Sequence, residues 1–126
     1  MIDIMLAIEV ATTTAKDVYV PVPRRGIVVN AYATYSEETD ADETITLAHP
    51  LGTVNLITPP ADETAEGVRM TGVPDATYKD SVFDPDHATA TYQRIKISVP
   101  NTFDTGGMIG LHIEFDDSAA VTQTST

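Results

Sequence analysis

Hydrophobic and polar residues alternate with a period of two along most of this chain. In the first ten residues, the apolar side chains at every second position would fall on one side of an extended backbone: Ile4, Leu6, Ile8 and Val10. This alternation is typical of a half-buried β-strand, because successive side chains of a strand point to opposite faces. The pattern predicts eight strands, at residues 3–10, 17–22, 27–35, 43–47, 53–58, 68–70, 91–99 and 108–115.

The strand at 27–35 is predicted to be long, because β-branched and aromatic residues occupy many of its positions. Strict alternation would place five side chains on one face: Ile27, Val29, Ala31, Ala33 and Tyr35. The longest stretch predicted to be irregular is 73–90, which is rich in aspartate and proline. A loop of that length in a compact domain usually carries function or contacts.

Two prolines mark the strand predicted at 17–22 as a weak pairing element. Pro21 and Pro23 lack the backbone N–H that a sheet ladder needs, so this strand must lie at a sheet edge or end there. The following turn ends at Gly26, which permits a positive φ that most residues resist.

Turn signals separate most of these strands at spacings of about 8–12 residues, which favours a sandwich or a barrel. The chain has 126 residues, a length that suits one domain. We therefore predict an all-β fold, an eight-stranded antiparallel β-sandwich of jelly-roll type over residues 1–117. Residues 118–126 have no apolar period, and we expect them to form a flexible C-terminal tail.

Composition changes this picture through charge and through cysteine. There is no cysteine, so disulfides and thiolate metal sites are excluded. The 19 acidic residues outnumber the 7 basic ones, for a formal net charge of -12. Such a field repels nucleic acid and anionic membrane surfaces, and we expect neither as a partner. The charge serves solubility alone, or it suits a partner whose surface is locally basic.

The apolar start of the chain does not have the form of a signal peptide. It lacks a basic region, and Asp3 and Glu9 interrupt it. No run of residues approaches the roughly 18 apolar positions of a membrane helix. We expect the protein to be made and used in the cytoplasm, or to leave the cell by lysis.

The residue types needed for catalysis are present, but they form no recognisable motif. The possible general bases are His49, His87 and His112. His49 precedes Pro50 in a turn, His112 is predicted on the outward face of the last strand, and neither has a serine nearby in a strained elbow. Carboxylate pairs for glycoside chemistry carry no specificity when acidic residues are so numerous. We expect no catalytic residues, no cofactor and no enzymatic activity.

The run Asp84-Pro85-Asp86-His87 is the best candidate for a metal site, because oxygen ligands at alternate positions can hold calcium and Asp80 is close in sequence. The alternative is a plain acidic turn, which we favour because the glycine and closing glutamate of an EF-hand loop are missing. We therefore predict no metal site, and a calcium titration followed by thermal melting tests that expectation.

Surface residues beside the weak edge strand are the candidates for contact with a partner. The pair Arg24-Arg25 is a turn with two exposed charges, or it is an anchor that pairs with carboxylates of a partner. The full set of predicted contact residues is Pro21, Pro23, Arg24, Arg25, Asp84 and Asp86.

Three segments resemble small structural proteins of tailed phages. Residues 18–28 read as an extended strand, a proline and a glycine-led strand; residues 42–47 follow an acidic loop; and residues 106–115 close the chain. This order is similar to that of head decoration (cement) proteins and covers about two-thirds of the chain, with 73–90 departing from it. The correspondence carries over Pro23 and Gly26 as the turn, and Ile113, Glu114 and Phe115 as the closing strand.

The resemblance implies a β-sandwich that sits as a homotrimer at local threefold positions on the outside of a virion, bound to the major capsid protein. Its function would be to decorate and stabilise the capsid. The alternative is a carbohydrate- or ligand-binding β-sandwich module, with an acidic calcium loop and three surface tyrosines: Tyr32, Tyr78 and Tyr92.

Overall fold

The computed structural model describes residues 1–10, 15–37, 45–50, 55–58, 67–99 and 107–118. These residues form ten β-strands: β1 (Ile2–Val10), β2 (Lys16–Pro21), β3 (Gly26–Tyr35), β4 (Thr46–Ala48), β5 (Asn55–Thr58), β6 (Arg69–Thr71), β7 (Val73–Pro74), β8 (Val82–Phe83), β9 (Arg94–Val99) and β10 (Gly107–Asp116). A single 3-10 turn at Ala90–Tyr92 precedes β9. The prediction of an all-β chain is confirmed. The described part of the chain contains no helix long and apolar enough to cross a membrane.

The strands form two sheets in which every pairing is antiparallel. The first sheet has the order β1-β10-β3-β6, with β8 also beside β3, and the second has the order β2-β9-β4-β5-β7. Side chains of both sheets share one core, which includes Ile8 and Phe115 of the first sheet and Leu47 and Ile97 of the second. This arrangement is consistent with a β-sandwich.

β1 and β10 are the strands whose alternation is cleanest in the sequence, and they pair in unbroken register. Ile4 lies opposite Ile113, and Leu6 lies opposite Leu111. Every second side chain of β10 is buried: Ile109, Leu111, Ile113 and Phe115. Each such side chain contributes about 1.5–3 kcal/mol when it is fully removed from water, so β10 is a main source of stability.

A β-bulge in β3 makes part of the predicted face wrong. Phe115 of β10 lies opposite Val28, whereas Glu114 lies opposite Asn30, so Val29 is the extra residue. Val28 is therefore buried at 1% exposure and Val29 is 37% exposed. Beyond the bulge the alternation resumes, and Ala31, Ala33 and Tyr35 point inward as predicted.

The segment predicted to be irregular, 73–90, contains two further strands of two residues each, so the predicted count of eight is too low. β7 adds to β5, and β8 adds to β3. Val82 and Phe83 of β8 are buried, because β8 places them in the core beside Gly26 and Ile27. The segment thus contributes to the core as well as to the surface.

Two sequence predictions lie largely outside the described residues. The acidic loop that begins at Ser36 is described only to Glu37, and the tail is described only at Ser118. The strand ends predicted at 43–44 and 53–54 fall outside as well.

The prediction that the strand with Pro21 lies at a sheet edge is confirmed. In the part of the chain that the structure describes, β2 is the first strand of its sheet and pairs with β9 alone. Pro21 is exposed, and the next residue, Val22, donates its N–H to the carbonyl of Gln93 at 3.0 Å and is buried. The chain therefore turns inward directly after β2, where Val22 enters the core.

Gly26 is required for a reason other than the predicted one. Among the described glycines only Gly67 has a positive φ, at 75°. Gly26 is instead packed against the end of β10, where an added Cβ would lie 2.6 Å from Phe115 Cε2 and closer still to the carbonyl oxygen of Asp116. At Gly110 an added Cβ would meet only the carbonyl oxygen of Thr34, at 3.8 Å.

These two glycines give a matched test of the packing. Gly26→Ala should lower the free energy of unfolding by about 1–3 kcal/mol or more, because the methyl group forces β3 and β10 apart. Gly110→Ala should be neutral or stabilising by up to about 1 kcal/mol, since glycine weakens a strand interior and the space is open. Urea unfolding of both variants measures the difference, and equal effects would contradict the close approach at Gly26.

Candidate functional site

A groove of about 440 Å³ crosses the outer face of the first sheet. One row of neighbouring residues runs across four strands through Ala7, Gly110, Thr34 and Arg69. The next row runs through Met5, His112, Tyr32 and Thr71. The groove is lined by residues of both rows and by two core leucines: Met5, Leu6, Ala7, Tyr32, Thr34, Arg69, Gly110, Leu111 and His112.

The groove exists because its central row has small side chains. Ala7 and Gly110 lie opposite each other, and the half-buried Leu6 and the buried Leu111 contribute to the lining beneath them. Met5 and Tyr32 in the next row are much larger and form one wall. The floor is therefore apolar, and its depth depends on the absence of a side chain at Gly110.

Arg69, Tyr32 and Glu114 form a connected polar group beside this floor. The guanidinium of Arg69 lies over the Tyr32 ring, 3.7 Å from its centroid, a cation–π geometry. The Tyr32 hydroxyl donates a hydrogen bond of 2.6 Å to Glu114 Oε1. This bond to the carboxylate raises the pKa of Tyr32, with desolvation as the second cause. These contacts hold the planar guanidinium in one orientation at the rim of the groove.

His112 and Asp3 continue this polar group toward β1, since His112 pairs with Tyr32 and Asp3 pairs with Glu114. His112 Nε2 lies 2.9 Å from Asp3 Oδ1, and the imidazole lies 5.4 Å from the Tyr32 ring between centroids. The prediction that His112 faces outward is confirmed, since it shares the outer face with Gly110 and Glu114. The rim can donate and accept hydrogen bonds, and it carries charges of both signs.

The outer face of the first sheet also exposes large apolar side chains. Met5 is 70% exposed and Met108 is 42% exposed, and Val29 reaches the surface through the bulge. Apolar side chains near an apolar groove with a charged rim are characteristic of a protein interaction surface. The arrangement can bind a partner, and the rim charges can orient it.

The six predicted contact residues come from two segments that lie at the same end of the molecule. Backbone pairing joins Gly26 to Phe83, and the N–H of Asp84 bonds to the carbonyl of Tyr92 at 2.8 Å. Pro21, Pro23, Arg24 and Asp86 are exposed, whereas Arg25 and Asp84 are half-buried. Arg24 Nε lies 3.9 Å from Asp117 Oδ2, a weak surface ion pair.

The aspartates considered for calcium make local contacts of their own. Asp84 Oδ1 accepts a hydrogen bond of 2.9 Å from the N–H of Asp86, and Asp80 Oδ2 lies 3.0 Å from Lys79 Nζ. Over the described ranges, no three His, Cys, Asp or Glu side chains are grouped so that they could hold a metal ion. One carboxylate oxygen of Asp84 and one of Asp80 are thus engaged by neighbouring groups of the same segment.

The three histidines are in different parts of the fold. His49 contacts the Tyr78 ring edge-on at 4.7 Å, and His87 stacks on Tyr92 at 4.0 Å, while His112 is in the groove. Burial lowers the pKa of His49. The description of Tyr78 and Tyr92 as surface tyrosines is wrong in part, because Tyr92 is buried and Tyr78 packs against the core.

Sequence reasoning missed the groove. The outward alternation of β1 and β10 is visible in the sequence, but the register that places Ala7 beside Gly110 is not. Arg69 carried no signal, because its strand is only three residues long. The one available hint was Gly110, a glycine in the middle of a strongly alternating strand.

Comparisons with protein-family models, with curated proteins and with solved structures found no match to this chain.

His49 gives the structure a testable pH dependence. Because its folded pKa is depressed, the unfolded chain takes up a proton at a higher pH than the folded chain does. The stability associated with neutral His49 is thus present above about pH 6.5 and is lost as the pH falls through the lowered folded pKa. Urea unfolding from about pH 8 to about pH 5 should show a smaller loss of stability in His49→Gln than in the wild type. Parallel curves would contradict the assignment.

Proposed function

We propose that the chain is a structural virion protein that binds the outside of a tailed-phage capsid and stabilises it as a decoration (cement) protein. The observation that carries the proposal is the outer face of the first sheet, with exposed Met5 and Met108 beside a groove whose rim is charged. Such a face suits a protein whose work is adhesion to a large, repeated surface.

The strand order supports the jelly-roll form of the sandwich. When the two-residue strands β7 and β8 are left out, the first sheet holds β1, β10, β3 and β6, and the second holds β2, β9, β4 and β5. Two four-stranded sheets with this strand order are what a jelly roll would have, an architecture found in viral capsid and lectin domains. Since a fold hosts many functions, this order supports the virion proposal only together with the binding face.

A protein that decorates a capsid in many linked copies needs only a low binding affinity for each copy. Many copies bind one capsid, so that each copy needs only a weak contact when neighbours are linked to each other. The net charge of -12 favours a capsid surface that is locally basic, and it opposes non-specific association of free copies.

A homotrimer is the assembly that we propose for the bound protein, with the major capsid protein as its partner. Among the described strands, β1 and β2 each pair on one side only, so the sandwich has an edge at each of them. Unpaired strand edges are a hazard for aggregation unless they are charged, interrupted or covered. Assembly would cover at least one of them.

A small-ligand site in the same groove is the second candidate function. The groove volume lies within the range of about 300–1,000 Å³ that is usual for ligand pockets. Against a sugar-binding role, one face of the Tyr32 ring is already covered by Arg69, and Tyr92 is buried. Binding on a glycan array that Gly110→Val removes would favour this candidate.

Filling the groove tests the capsid proposal. Gly110→Val has room for its side chain, so it should leave folding intact. It should weaken binding to capsids of the phage proposed to carry this chain by about tenfold or more, roughly 1.4 kcal/mol. Co-sedimentation with those capsids measures the affinity. Ser98→Val, which adds similar bulk to the outward side of β9, is the matched control and should bind normally.

Light scattering coupled to size exclusion tests the assembly. The expected mass is three times that of the 13.5 kDa chain. A strict monomer that also fails to bind capsids would overturn the proposed function.

A further inference from the structure

β1 is an edge strand whose central residues, Ile4 to Ile8, carry none of the usual protection. It is nine residues long, it ends the first sheet, and it pairs with β10 in unbroken register from Ile2 to Val10. It contains no proline and no lysine, and no bulge interrupts its pairing. A long, regular edge of this kind offers its outward N–H and C=O groups to a further strand.

The other long edge strand is protected in the ways expected of a free edge. β2 begins at Lys16 and ends at Pro21, and both features discourage pairing with another chain. The contrast indicates that β1 can accept a further strand along its edge, whereas Lys16 and Pro21 hinder such pairing at β2.

The inward side chains of β1 are also incompletely covered. Ile2, Ile4 and Leu6 are half-buried, although the residues opposite them on β10 are fully buried: Phe115, Ile113 and Leu111. β10 covers one side of β1, and no described strand lies along its other side. A further strand there would cover these three side chains with apolar neighbours.

We propose that β1 pairs antiparallel with β1 of a second copy of this chain, across a two-fold axis at Met5. The contact joins the first sheets of two copies into one continuous sheet. It rests on the proposed function in one respect: on a capsid surface this pairing would link neighbouring trimers across a two-fold position.

Two features of the edge select this register. Lys16 Nζ donates to the carbonyl of Glu9 at 2.6 Å, which closes that end and leaves Ile2 to Ile8 for pairing, a stretch whose centre is Met5. With the axis at Met5, Ile2 faces Ile8, Ile4 faces Leu6, and Asp3 faces Ala7, so apolar residues meet on the inner side.

Two-fold axes at the neighbouring residues, Leu6 and Ile4, would give less favourable pairings than the axis at Met5. An axis at Leu6 would place Asp3 opposite Glu9 twice, and like charges directly opposite are destabilising. An axis at Ile4 would place Ala7 opposite Met1, outside the strand, and would leave Ile8 without a partner. The charge pattern therefore favours Met5 over its neighbours.

The absence of cysteine makes the register measurable by disulfide formation. Directly opposed residues of antiparallel strands lie about 4.5–5.5 Å apart between Cα atoms, which a disulfide can span. Only the residue on the axis faces itself, so Met5→Cys should oxidise to a covalent dimer in most of the protein. Asp3→Cys and Ala7→Cys should each remain at background alone, and an equal mixture of the two should give the covalent heterodimer.

Met108→Cys is the matched control, because Met108 is also an exposed methionine on the outer face but belongs to an inner strand. It should form no more dimer than random collision gives. If Met5→Cys forms covalent dimer only at that background level, the proposed pairing is wrong. If Ala7→Cys forms more covalent homodimer than Met5→Cys does, the proposed register is wrong.

A charge substitution checks the pairing without oxidation. Met5→Lys would place two ammonium groups at the axis, where they repel each other. It should raise the protein concentration needed for self-association, measured by sedimentation velocity, at least tenfold, whereas Met108→Lys should not. Because the disulfide dimer is read on a denaturing gel, it is independent of capsid binding and of trimer formation. If Met5→Cys forms the disulfide dimer but the wild-type chain does not bind capsids, the β1 pairing stands and the proposed capsid function fails.

Discussion

β10 lies between β1 and β3, and the burial of its inward side chains is the constraint on which the rest of the first sheet depends. Ile109, Leu111, Ile113 and Phe115 are almost completely removed from water, which fixes the orientation of the strand. Because side chains alternate, the same constraint directs Met108, Gly110, His112 and Glu114 to the outer face. The groove is thus a consequence of core packing together with a glycine at one outward position.

Much of the fold could be predicted from alternation, because β1 and β10 bury one face and expose the other. The alternation failed at β3, where Val28 and Val29 are equally suited to a strand and only pairing with β10 decides which is the extra residue. It failed again at β8, since two residues are too few to show a period, although Phe83 is fully buried. Gly26 was recognised as special, but the close approach of Phe115 depends on a contact between distant segments.

The site was less predictable than the fold for the same physical reason. The groove combines Ala7, Thr34, Arg69 and Gly110, which are brought together by the register of four strands. No local pattern carries that information. The contact residues chosen at Pro21 to Arg25 and at Asp84 and Asp86 do lie at one end of the molecule, but the features that point to binding are on the outer face of the first sheet.

Two surfaces of the first sheet are distinct in their chemistry, and this bears on how the protein would work on a shell. The outer face combines an apolar floor with charges of both signs, which suits a partner of different sequence, because opposite charges can orient it. The β1 edge is apolar on its inner side and self-complementary about Met5, which suits an identical chain. Met5 belongs to both, since it walls the groove and lies at the centre of the edge. Pairing through β1 would therefore bring two grooves close together on one continuous sheet, so that binding of one copy places the groove of the next beside the same partner surface. Linked sites of this kind gain affinity from their proximity, without any stronger contact in either one.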